Sequence, residues 1–209
     1  MFRMKPIVLL AGLAFYLTGC TTTPPVKYSD VTEGQWEAKV LIKDHENAKS
    51  HIVNVDAYAV RGQNLRIDVT AALGTHVASL VLNGDEVRYI LPRKKSYFEG
   101  KSSEKVLRPI LSVPVDPRLF YSMLFDVAPE EEDWSCETSD KGFLSGCENR
   151  VQGLSVEWKD RNGRKKSVLV EHEKASLQMN VTWFKPSLDP EKNIFSLRAP
   201  KKFKRYRIK

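Results

Sequence analysis

Little in this 209-residue chain is of the kind that builds a catalytic centre. Its four histidines, at 45, 51, 76 and 172, have no ligand-like spacing, and no Cys-x-x-Cys pair occurs. There is no Gly-x-Ser-x-Gly elbow, no His-Glu-x-x-His helix and no glycine-rich phosphate loop. The acidic run Glu130-Glu131-Glu132-Asp133 reads as a solvated stretch rather than a cation site. These absences argue against an enzyme and against a bound metal or cofactor. Charge of one sign is also scarce once it is located. The formal net charge is +7, but residues 201–209 carry six positive groups, and removal of residues 1–19 takes Arg3 and Lys5. What remains, residues 20–200, is nearly neutral, so no basic face runs through the body and nucleic acid is not an expected partner. A long hydrophobic run is missing too. The apolar stretch at residues 6–17 falls short of the roughly 20 residues that span a bilayer core.

That short run belongs to an export signal instead. Basic Arg3 and Lys5 precede it, and small residues follow it. It ends in Leu17-Thr18-Gly19-Cys20, which resembles the lipobox of bacterial lipoproteins. The resemblance implies cleavage before Cys20 and covalent lipid on its thiol and new amine. Two or more acyl chains anchor a protein stably, where one binds marginally. Thr21 stands where an aspartate would favour the inner membrane, which implies an outer-membrane address on the periplasmic face. The organisation expected is a signal peptide over 1–19, a lipidated N-terminus and flexible tether over 20–34, one domain over 35–200 and a basic tail over 201–209.

Within the domain the hydrophobic period is two. Trp36, Ala38, Val40 and Ile42 alternate with polar residues, as do Val53 to Ala59, Leu65 to Val69, Ala78 to Leu82 and Val87 to Leu91. Leu154 to Trp158, Val168 to Val170 and Leu177 to Trp183 repeat the pattern, with Asn83-Gly84 and Asn162-Gly163 as hairpin turns. Midway the period changes. Ser103 is placed to cap a helix bearing Val106, Leu107, Ile110 and Leu111, and Asp116-Pro117 to open a second bearing Leu119, Phe120, Met123 and Leu124. The pattern predicts a mainly β fold with a few short helices (α+β): a curved antiparallel sheet forming an unclosed β-barrel, with a helical lid on its concave face. With Cys20 lipidated, Cys136 and Cys147 remain as a pair in an oxidising compartment, and a disulfide at the base of a hairpin is expected.

Lipobox, tether, curved sheet and a two-helix insert together resemble the LolB family of outer-membrane lipoproteins. Members accept lipoproteins from the periplasmic carrier LolA and insert them into the membrane. The likeness rests on Leu65–Thr75, on the strand pair Ala78–Leu91 and on the insert Ser102–Pro129. Ala72 stands where the family has proline, and neither the cysteine pair nor the basic tail is a general family feature. The resemblance implies a monomer whose partners are a LolA-like carrier, lipoprotein cargo and outer-membrane lipid. It also implies that Leu73, between two strand runs, protrudes as a membrane-insertion tip. The expected acyl-chain cavity is lined by Leu65, Ile67, Val69, Leu80, Leu82, Leu107, Leu111, Phe120, Met123 and Trp158. The basic tail is open to two readings: it meets the carrier or anionic headgroups, or it forms a final strand whose charges face water. Two other functions stay open as well, a carrier or sensor of another lipid or glycolipid and a structural envelope lipoprotein.

Overall fold

The computed structural model describes residues 23–108, 110, 113–189 and 193–208. The signal segment, Cys20 and Leu111 lie outside the described residues. Twelve strands form one sheet: β1 (Glu33–Asp44), β2 (Lys49–Val60), β3 (Asn64–Ala71), β4 (His76–Asn83), β5 (Glu86–Leu91), β6 (Ser96–Lys101), β7 (Trp134–Thr138), β8 (Leu144–Asn149), β9 (Leu154–Asn162), β10 (Lys165–His172), β11 (Ala175–Lys185) and β12 (Lys204–Ile208). Their order is β12-β6-β5-β4-β3-β2-β1-β11-β10-β9-β8-β7, so the sheet is curved and unclosed, with β12 and β7 as its edges.

Register explains why the alternating residues share a face. Trp36, Ala57, Ile67, Leu80 and Tyr89 form one cross-strand row, and Val40, Met179, Val168 and Trp158 form another. Both rows are buried in a single hydrophobic cluster beneath the residues that join β6 to β7. That cluster draws all its members from residues 26–208.

The lid carries a single helix among the described residues, α1 (Leu119–Phe125), rather than two. The expected first helix is a series of turns, with Val106 N–H donating to Ser103 O, Arg108 to Lys105 and Ile110 to Leu107. Pro109 accounts for the difference: it has no N–H to donate and disfavours helical geometry at Arg108. The second start signal does act locally. Asp116 Oδ1 accepts from Arg118 N at 2.8 Å, and turn bonds from Leu119 to Asp116 and Phe120 to Pro117 lead into α1.

Of the two readings of the basic tail, the structure takes the final strand: β12 pairs in parallel with β6, the one parallel pairing of the sheet among the described residues. Gly100 makes this approach possible, because a Cβ there would meet Ile208 O at 2.5 Å. Tyr206 stacks on Phe98, which stacks on Tyr89. The tether expected over 20–34 is instead docked where it is described, from Thr23 onward. Val26 N donates to Gly163 O at 2.8 Å and Gly163 N to Thr23 O at 3.1 Å, while Tyr28 is buried against Phe184. A hydroxyl bond from Tyr28 to Arg164 O completes the docking of this strap.

The C-terminal residues before β12 cover the opposite, convex face. Arg66 donates to Ile194 O and Asn83 to Phe195 O, and Ser79 and Val81 of β4 are buried as a result.

Candidate functional site

The lid is clamped to the sheet at both ends. At its start, Asp116 is buried and accepts from Ser102 Oγ at 2.8 Å and from Arg118 through both carboxylate oxygens. At its end, Asp126 adopts a left-handed φ of 53° and closes α1. Lys166 of β10, fully buried, reaches up to that point. Its Nζ donates to Met123 O at 2.8 Å, Leu124 O at 2.7 Å and Asp126 Oδ1 at 2.6 Å. Arg161 pairs with the other oxygen of Asp126 and donates to Leu144 O. The Tyr28 ring lies 3.9 Å from Lys166 Nζ, so strap, lid and sheet converge on one ammonium. Burial lowers the Lys166 pKa to about 8 against the opposing pull of Asp126.

Of the expected lining residues, Leu65, Ile67, Leu80, Leu82, Leu107, Met123 and Trp158 are buried in the common cluster, with Val69 and Phe120 packed against it. An apolar cavity of about 30 Å³ lies between α1 and β1, β9, β10 and β11. Only Phe120 and Met123 of that set border it. They line it together with Ile42, Val113, Val115, Leu119, Leu154, Val170 and Leu177. The alternation marked several of these as inward-facing; that they face the lid depends on which strands α1 crosses. A larger cavity of about 490 Å³ opens between the turns at Gly62 and Gly84 and the segment 118–131. Its walls mix Arg61 and Arg118 with Asp85, Glu130 and Glu131, and Arg118 pairs with Glu131 at 3.5 Å.

Leu73 stands at the tip of the β3–β4 hairpin and is 96% exposed. Gly74 N donates to Ala71 O and Ala71 N to Thr75 O, and the turn needs the φ of +78° that Gly74 supplies. Cys136 and Cys147 are bonded to each other as directly opposed residues of β7 and β8. Trp134↔Asn149 and Ser135↔Glu148 continue the pairing beyond them, so the bond crosses the middle of the hairpin rather than its base.

Asp68, Ser79 and His76 also meet, on the convex side. Ser79 Oγ donates to Asp68 Oδ1 and lies 2.9 Å from His76 Nε2, while Arg66 pairs with Asp68. In a hydrolytic triad the carboxylate orients the histidine, whereas here it binds the serine directly. The serine is 1% exposed. The cluster joins β3 to β4 beneath the 193–195 segment. Among the described residues no group of three or more His, Cys, Asp or Glu side chains is placed to hold a metal ion, and no helix is long and apolar enough to cross a membrane.

No family model matches the chain, and no curated protein matches it. Solved structures do. A LolA superfamily protein from Nitrosomonas europaea superposes with a TM-score of 0.55 at 10% identity, over 82% of this chain and 94% of that one. The fold is LolA-like. A conserved protein from Thermus thermophilus gives 0.45 at 14% identity, over 88% and 94% of the two chains. A domain from Vibrio parahaemolyticus, described as a candidate outer-membrane lipoprotein-sorting protein, gives 0.47 at 11%, over 78% and 88%. This LolA-like sheet has its concave face filled by its own lid. Among the described residues the buried indole N–H of Trp158 has no hydrogen-bond acceptor.

Proposed function

We propose that this protein is a lipid-anchored envelope lipoprotein of the outer membrane, held through Cys20, that takes lipoproteins from a periplasmic LolA-like carrier and inserts them into the bilayer. The observation that carries the reading is the apolar concave face beneath a helical lid in a LolA-like fold. Acyl chains would displace Phe120, Met123 and their neighbours and lie along Leu65, Ile67, Leu80 and Leu82. Each buried methylene contributes about 0.8 kcal/mol, so chain burial offsets loss of the lid contacts without nucleotide. Trp158 would donate to an ester or amide carbonyl of the cargo's lipidated end. Leu73 would then enter the bilayer and guide release.

The test mixes residues 21–209 with a carrier loaded with one labelled lipoprotein. Transfer of label to this domain without nucleotide is expected. If fluorescent fatty acids bind but no label moves, the protein carries another amphiphile. If neither binds, the concave face is a packed core with a structural role.

A further inference from the structure

Leu73 does not stand alone at its end of the sheet. Strand direction puts the β3–β4 turn at the same end as residues 92–95, which join β5 to β6, and as residues 201–203, which lead into β12. Lys204 N donates to Lys95 O at 2.8 Å and fastens the last two segments together. Arg93, Lys94, Lys95, Lys201, Lys202 and Lys204 are all exposed. None has a described carboxylate within 4.0 Å. Two stretches more than 100 residues apart in sequence thus make one uncompensated basic collar beside an exposed leucine.

We propose that this collar is a docking surface for an anionic phospholipid bilayer, its cations meeting headgroup phosphates while Leu73 enters the acyl layer. The inference rests on the membrane-delivery reading of Leu73 and adds the lipid class it works against. A bilayer is the occupant that suits the arrangement. Exposed Leu73, with exposed Ile52 of β2 near the same turn, offers apolar side chains to an acyl layer, and long lysines without a described carboxylate partner make non-directional contacts suited to a fluid charged surface.

The experiment measures binding of residues 23–209, which contain all twelve strands and the whole described core, to sedimenting vesicles. Vesicles of phosphatidylcholine with about 30 mol% phosphatidylglycerol should bind at least about tenfold more tightly than phosphatidylcholine alone, and roughly 0.5 M salt should remove the difference. Lys94→Glu/Lys201→Glu should lose about tenfold or more on the anionic vesicles. Lys101→Glu/Lys141→Glu, with the same net charge but at the opposite end of the sheet, should change binding less than about twofold. Circular dichroism confirms that each variant is folded. Equal binding to both vesicle types, no binding to either, or equal losses in the two double variants would overturn the proposal. No cargo or carrier is present, so failure of the acceptor reading leaves this result standing, and failure here leaves lipoprotein transfer untouched.

Discussion

Lys166 carries the most consequence of any single side chain. Its folded pKa of about 8 lies below the ordinary lysine value of about 10.4, so between these values the unfolded chain binds a proton that the folded one lacks. Stability from this group therefore rises with pH from about 8 towards 10. Above about 10 the trend reverses, because burial raises the pKa of Tyr28, Tyr89 and Tyr121 while unfolded tyrosines ionise. Urea midpoints across this range should show the rise in the wild type and its absence in Lys166→Met. Leu73→Glu is the functional counterpart: cargo should still bind, while insertion into vesicles should be abolished. Persistence of insertion would remove Leu73 from the delivery step. The exposed turn was legible from Ala71 to Gly74 lying between two alternating runs. Lys166 was not, since one lysine in a strand looks like any solvated residue until the lid's carbonyls are placed above it.

Among the elements, the β7–β8 hairpin forms a sheet edge and owes its hold to the Cys136–Cys147 bond and its pairing with β9. Replacing both cysteines with alanine should lower stability by roughly 3 kcal/mol in the chain-entropy account, read from urea unfolding. The strap deserves its own test. Tyr28→Ala empties a buried aromatic site beneath α1 and should cost about 3–5 kcal/mol. Hydrogen exchange should then quicken in residues 119–125 more than in β4, because Lys166 links strap to lid. Strand periodicity and turn residues made almost every strand readable. The strap was not, as Thr23–Asp30 is polar and contains prolines, and its docking depends on a β9–β10 turn far along the chain.

For the molecule as a whole, the two ends that the proposed function uses are opposed. Thr23 is held at the β9–β10 turn, whereas Leu73 and the basic collar sit at the other end, beyond the eight residues of β3, a rise of about 26 Å. If Cys20 is lipidated as proposed, it lies only three residues before Thr23 in sequence, and a docked strap would keep Leu73 away from the anchoring membrane. A flexible linker of about 15 residues inserted after Thr22 reaches roughly 20 Å and should therefore speed delivery into the anchoring membrane. The comparison uses vesicles bearing the lipidated protein and labelled cargo. An unchanged rate would mean that the strap undocks in ordinary working.

By itself the sequence determined the mainly β class, the approximate strands, the lid's position and the inward-facing side chains. Each follows from local signals: period-two alternation, glycine turns, a capped start at Asp116. Tertiary structure alone decided the rest. Pairing of β12 with β6 decided that the basic tail is a strand, burial of Tyr28 turned a tether into a strap, and packing beneath α1 left an apolar cavity of about 30 Å³ there. The physical reason is common to all three. These features depend on which distant segments meet, and a charged or polar stretch carries no local period that records its partner.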